Sequence, residues 1–307
     1  MMNMIHGFNI DMLRVCFEVN NLELLKRIAN LEIGERFDVC EYYLLRIEGK
    51  YFEYVYQIRY DELGCDSLFG ELKFGLKGGD EDANTHSNGK HKAWISVDNR
   101  VLYNDEIYYL GYIADMLDLE FHNITSLDLC LDMTMNIAQY LKRLIFSKDI
   151  EVILNGTKIT DRREDRPEIH YDYSGNLIRL KYLTLYIRQR KAIKDKSQGL
   201  CLVAYNKRAE IENSSSKNYI ADTYGDPKKL YRLEVHLNND ELKDYFKNDI
   251  HELNLGLIFN EKKLFELFYH TLERLIRFRQ NGKKIEWWDV LTGDITTTPT
   301  KGKKKKQ

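Results

Sequence analysis

The stretch ITSLDLCLDMTM, residues 124–135, alternates apolar and polar positions. The stretch NIAQYLKRLIFS, residues 136–147, then spaces its apolar side chains as a helix does. A period of two marks a strand with one face turned to a core. Here Leu127, Leu129, Leu131 and Met133 fall on one face, and Asp128, Cys130 and Asp132 on the other. The same strand-then-helix order opens the chain. IDMLRVCFEV (residues 10–19) reads as a strand. NNLELLKRIANLE (residues 20–32) reads as a helix with Leu22, Leu25, Ile28 and Ala29 as its stripe and Asn20 or Asn21 as its cap. This recurrence sets the fold expectation: an α+β chain of two similar halves, built on mostly antiparallel sheets with helices on one face. The expected divisions are 1–119, 120–250, a C-terminal helical segment at 251–292 and a disordered basic tail at 293–307.

Working outward, YYLLRIEGKYFEYVYQIRY (residues 42–60) reads as a hairpin turning at Glu48-Gly49-Lys50. Residues 76–92, LKGGDEDANTHSNGKHK, read as a polar loop in which His86 and His91 are bystanders. AWISVDNRVLY (residues 93–103) resumes strand character. In the second half YLTLYIRQRK, GLCLVAYNK and LYRLEVHL read as strands, residues 212–229 as a polar loop, and residues 260–280 as one amphipathic helix. Trp287 and Trp288 read together as a packing anchor.

Composition excludes several classes. The chain has 307 residues, 31% charged and 43% hydrophobic, with a net charge of -2. A uniformly basic nucleic-acid binder is excluded, while a local basic patch is not. No apolar run reaches the roughly 18–20 residues that span a bilayer. The first residues lack a basic region followed by an apolar block, so no secretory signal is expected. Five cysteines with no C-x-x-C pair suit a reducing cytoplasm and argue against a zinc ribbon or a disulfide framework. No two of the eight histidines stand two residues apart.

Three strands carry polar groups on one face. Asp128 and Asp132 share a face, but a regular strand holds them roughly 13–14 Å apart. One can therefore bind a cation while the other orients a positive group; two unrelated surface aspartates fit the same pattern. In LYRLEVHL, Arg232, Glu234 and His236 share a face suited to a divalent cation or a phosphate, or to an ordinary cross-strand ion pair. Carboxylate oxygens favour Mg²⁺ or Mn²⁺. In LCLVAYNKRAEIE (residues 200–212), Cys201, Val203 and Tyr205 share a face. Lys207 follows on the same side if the strand continues, and Glu210 is a candidate acid, base or ligand. Tyr205 reads either as a nucleophile for a phosphodiester or as a strand-end aromatic. From Leu177 to Arg208 there are nine basic residues against one acid, Asp195. Basic groups among tyrosines suit a phosphate backbone with unpaired bases, and Arg188, Arg190, Lys191 and Lys194 are the candidates.

The order of ITSLDLCLDMT, LTLYIRQRK, LVAYNKRAEI, LYRLEVHL and IEWWDVL, over roughly residues 10–290, resembles the replication initiation factor family. These are the trans-acting Rep proteins of rolling-circle plasmids and related relaxases of conjugative elements. The resemblance implies a DNA-nicking and strand-joining enzyme with a 5′-phosphotyrosine intermediate and a divalent metal, Mg²⁺ or Mn²⁺. By motif position the nucleophile falls on Tyr205, followed by Lys207 and Glu210. The paired aspartates fall on Asp128 and Asp132, and the Arg-x-Glu pair on Arg232 and Glu234. The implied metal ligands are Asp128, Asp132 and Glu234. The implied partner is origin DNA, single-stranded or cruciform, with room for a host helicase and a homodimer and none for a membrane; the implied location is cytoplasmic. The rival reading is a non-catalytic origin- or operator-binding protein. An RNA-binding module fits the acidic strand faces poorly.

Overall fold

The computed structural model describes residues 4–62, 65–78, 84–104, 106–159, 169–171, 177–181, 184–189 and 199–295. The chain is α+β, with one large antiparallel sheet and a smaller four-stranded one. The first half runs β1 (Ile5–Val19), β2 (Arg36–Val39), β3 (Tyr42–Ile47), β4 (Phe52–Glu62), β5 (Cys65–Leu76) and β6 (Lys92–Val97). The second half runs β7 (Leu119–Met133), β8 (Ile150–Leu154), β9 (Thr157–Lys158), β10 (Ile169–Tyr171), β11 (Leu177–Lys181), β12 (Thr184–Arg188), β13 (Cys201–Asn206) and β14 (Tyr231–Asn238). Two further strands follow, β15 (Ile276–Gln280) and β16 (Lys283–Ile285).

The halves repeat one topology. In the first, the opening strand pairs with the last, giving the order β1-β6-β5-β4-β3-β2; in the second the order is β7-β14-β13-β12-β11-β10. Each opening strand is followed by a capped helix. Asn21 accepts from the Leu24 amide ahead of Leu22–Ala29, and Asn136 from the Gln139 amide ahead of Ile137–Phe146. The chain divides within β1 and β7 into two compact units. One holds Met1–Asn9, Leu129–Leu237 and Lys262–Gln307; the other holds Ile10–Asp128 and Asn238–Glu261.

In the unit containing Ile10–Asp128, Leu13, Val15 and Phe17 of β1 are fully buried, as the strand alternation requires. The β3–β4 hairpin turns where the spacing predicts. Gly49 is needed there, because a Cβ would sit 2.2 Å from the Phe52 carbonyl oxygen. The strand expected over residues 93–103 stops at Val97. Asp98 accepts from the Arg100 amide and starts a short helix, Asn99–Tyr103. A good cap ends the strand where alternation alone would carry it on.

In the other unit, Leu129, Leu131, Met133, Leu185, Ile187, Leu202, Ala204, Leu233 and Val235 are all within 1% of complete burial. The helix Ile137–Phe146 packs against β12, β13 and β8. Each buried leucine or valine contributes about 1.5–3 kcal/mol. This apolar layer leaves the opposite face of β7, β13 and β14 to the polar residues. The helix expected over residues 260–280 ends at Leu275. Ile276 and Phe278 then alternate with exposed Arg277 and Arg279 in β15, which pairs with β8. That period of two overrides the helical stripe. The expected polar loop at 212–229 folds into a π-turn, Ile211–Ser215, and a helix, Asn218–Thr223, that buries Ile220 and Ala221. Trp287 is buried with its indole N–H on the Ile276 carbonyl, whereas the Trp288 side chain is exposed. Among the described residues no helix is long and apolar enough to cross a membrane.

Candidate active site

β13 delivers the tyrosine. It pairs antiparallel with β14 in the register Cys201↔His236, Val203↔Glu234 and Tyr205↔Arg232. Side chains of one face therefore meet across the two strands. The ring of Tyr205 packs with Tyr186 on Cys201 and Val203, and is only half-buried. Its hydroxyl reaches two residue pairs along, to the next side chain on the same face, and donates to Glu234 Oε2 at 2.9 Å.

The strand ends at Asn206, whose side chain accepts from the Ala209 amide and starts a turn of helix, Lys207–Glu210. Lys207 therefore does not extend the strand, as the sequence reading has it. It remains beside the tyrosine all the same: its ammonium lies 5.8 Å from the Tyr205 ring centroid and 2.8 Å from Glu210 Oε2, and its side chain is 3% exposed. A buried ammonium requires such a partner. Glu210 thus serves as the counter-ion of Lys207.

Glu234 is 7% exposed and uses both oxygens. While Oε2 accepts from Tyr205, Oε1 lies 3.5 Å from His236 Nε2. His236 thus stands beside Glu234 on one face of β14. A carboxylate and an imidazole side by side suit a divalent ion completed by water.

Asp132 has a different engagement. It and Arg232 are fully buried and meet in a two-pronged pair, Nε on Oδ1 and Nη2 on Oδ2, both at 2.7 Å. Tyr224 donates to Asp132 Oδ2 at 3.1 Å and accepts from Asn9 at 2.5 Å. Burial first, and the Asp132 charge second, push the Tyr224 phenol well above its ordinary range, so it stays a donor. Gly7 makes room for it, since a Cβ there would sit 2.9 Å from the Tyr224 ring. Asp132 thus holds a guanidinium, and the strand spacing keeps Asp128 away from it.

Of the residues singled out in the sequence, Tyr205, Glu234 and Lys207 come together, and Arg232 joins Asp132. Arg188 ends β12 half-buried, with its guanidinium 5.0 Å from the Tyr186 ring centroid. Arg190, Lys191 and Lys194 lie outside the described residues. Two participants were not selected from sequence. His236 shared the Arg-Glu-His face but was not counted as a ligand, although its spacing from Glu234 was the signal. Tyr224 gave no signal, because a tyrosine in a polar segment does not reveal a partner 92 residues away.

No family model and no curated protein matches the sequence. Among solved structures the chain is similar to the rolling circle replication initiator protein from Geobacillus stearothermophilus, with a TM-score of 0.46 and 15% sequence identity, over 94% of this chain and 96% of that one.

Proposed function

We propose that this chain is a DNA-nicking and strand-joining enzyme of the rolling-circle initiator kind, with Tyr205 as its nucleophile. The reading rests on one observation: the Tyr205 hydroxyl donates at 2.9 Å to Glu234, whose other oxygen lies 3.5 Å from His236 Nε2. The phenolic proton already rests on a carboxylate that can take it.

In the proposed step the phenolic oxygen attacks a backbone phosphorus. Its proton passes to Glu234 Oε2, the atom it already contacts. The new O–P bond leaves the DNA 5′-phosphate on the enzyme, the P–O3′ bond breaks, and the departing 3′-oxygen takes a proton to become the free hydroxyl. Rejoining is the reverse attack by that hydroxyl. A divalent ion held by Glu234 and His236 would polarise the phosphate and offset its charge. Lys207, fixed by Glu210, sets a positive charge beside the ring whose oxygen reacts. Arg232 and Asp132 lock β14 to β7 and hold the register that aims Glu234. Arg188, with Arg190, Lys191 and Lys194, is the proposed contact to the flanking strand, and origin DNA the proposed substrate.

The test is a nicking assay with Mn²⁺ on supercoiled plasmid carrying the DNA that flanks the coding sequence. The wild-type chain should give open circles and a DNA-linked peptide containing Tyr205. Tyr205→Phe should give neither, and Glu234→Gln should slow the reaction by about 100-fold or more. An adduct in Tyr205→Phe refutes the nucleophile assignment. Salt-sensitive binding with neither nick nor adduct in the wild type refutes the enzyme and favours a DNA-binding protein.

A further inference from the structure

We propose that Glu18, His86 and His122 form a second metal site, one that takes a borderline transition-metal ion of the Zn²⁺ type and clasps the turn at residues 86–90 to β1 and β7. Each of the three side chains offers a ligand atom within 4.8 Å of the others. Glu18 lies on β1 and His122 on β7. His86 comes from the segment between β5 and β6, where sequence reading made it a bystander.

The distances fit a shared ion. His122 Nδ1 lies 3.4 Å from Glu18 Oε1. A charge-assisted hydrogen bond is shorter, about 2.7–2.9 Å. Two ligand atoms on a tetrahedral Zn²⁺ with bonds of about 2.0–2.1 Å stand about 3.3–3.4 Å apart. The His86 and His122 ring centroids are 3.9 Å apart at 43°. Two imidazoles that close repel when both are protonated, and both can serve one cation when neutral.

The surroundings prepare each ligand. Glu18 Oε2 accepts from Asn88 at 3.0 Å and meets Lys90 at 3.2 Å, which leaves Oε1 turned to the imidazole. Such outer contacts orient a metal ligand. Lys90 also meets Glu120 at 2.9 Å, so two carboxylates share one ammonium. The His86 amide donates to the Lys90 carbonyl and the Gly89 amide to the His86 carbonyl, both at 2.8 Å, with Gly89 at φ +79°. That tight turn sets His86 against β1. Burial raises the Glu18 carboxyl, but the hydrogen bonds from Asn88 and Lys90 outweigh it and hold the group below its ordinary range; burial and His122 together hold the His86 imidazole below its own. His122 is 37% exposed, which leaves a way in. Two imidazoles with one carboxylate favour Zn²⁺ over Mg²⁺ or Ca²⁺.

The site can be read apart from the first by titrating Zn²⁺ calorimetrically into an Asp128→Asn/Glu234→Gln background. One ion should bind, and adding His86→Ala/His122→Ala should weaken it by at least about 100-fold. Circular dichroism checks that each variant is folded. The wild-type chain gives a second readout that needs no variant. The first bound Cu²⁺ should show electron-resonance coupling to two imidazole nitrogens, because the Glu234–His236 pair offers only one. Unchanged Zn²⁺ affinity in the folded double-alanine variant, or coupling to fewer than two nitrogens, overturns the proposal.

Discussion

Replacing Asp132 with Asn would test the division of labour between the two strand aspartates. Arg232 and Asp132 have no exposed side-chain surface, and their two 2.7 Å contacts make one charge-paired unit. Asp132→Asn leaves the guanidinium buried with its charge uncompensated. Breaking such a pair costs about 3–5 kcal/mol. A domain stable by only about 5–15 kcal/mol loses a large share of that. At about 2–4 °C per kcal/mol, the transition of this unit should fall by about 6–20 °C. Thermal and urea unfolding followed by circular dichroism measure it. The double variant Asp132→Leu/Arg232→Met removes both charges and keeps the volume, so it should recover most of the loss. A shift under about 2 °C for Asp132→Asn, or a double variant as unstable as the single one, would refute the account of Asp132 as the holder of Arg232.

Two further outcomes concern burial. In the native chain iodoacetamide at pH 8 should label exposed Cys40 and Cys65 and spare Cys16, whose thiol burial pushes up to about 12; alkylation of Cys16 as fast as Cys40, followed by peptide mass spectrometry, would contradict its burial. Trp287→Ala should cost about 3–5 kcal/mol, because it empties a core position and frees the Ile276 carbonyl, while Trp288→Ala should cost under about 0.5 kcal/mol; equal losses in urea titrations would mean that the anchor is misassigned.

Much of the site was legible as faces. Alternation places Asp128 with Asp132, Glu234 with His236, and Tyr205 with Val203, and the structure keeps every one of these faces. The strand rise alone also separates Asp128 from Asp132 by too much for one ion. Misreadings occurred where a local signal of a second kind intervened. Asp98 and Asn206 cap helices inside runs that alternate like strands, and Ile276 and Phe278 alternate at the end of a helical stripe.

Period and capping are local properties, fixed by neighbours a few residues apart, so the order of residues is enough to reveal them. By itself that order determined two strand-then-helix openings, the buried and polar faces of each strand, and which side chains share a face. Tertiary structure decided the partners. The pairing of β13 with β14 sets Tyr205 against Glu234, and the place of β7 beside β14 gives Asp132 to Arg232. The return of a loop to β1 brings His86 to Glu18 and His122. These contacts join residues 29 to 104 positions apart, and strand order and register, set by burial of the opposite apolar faces, select them.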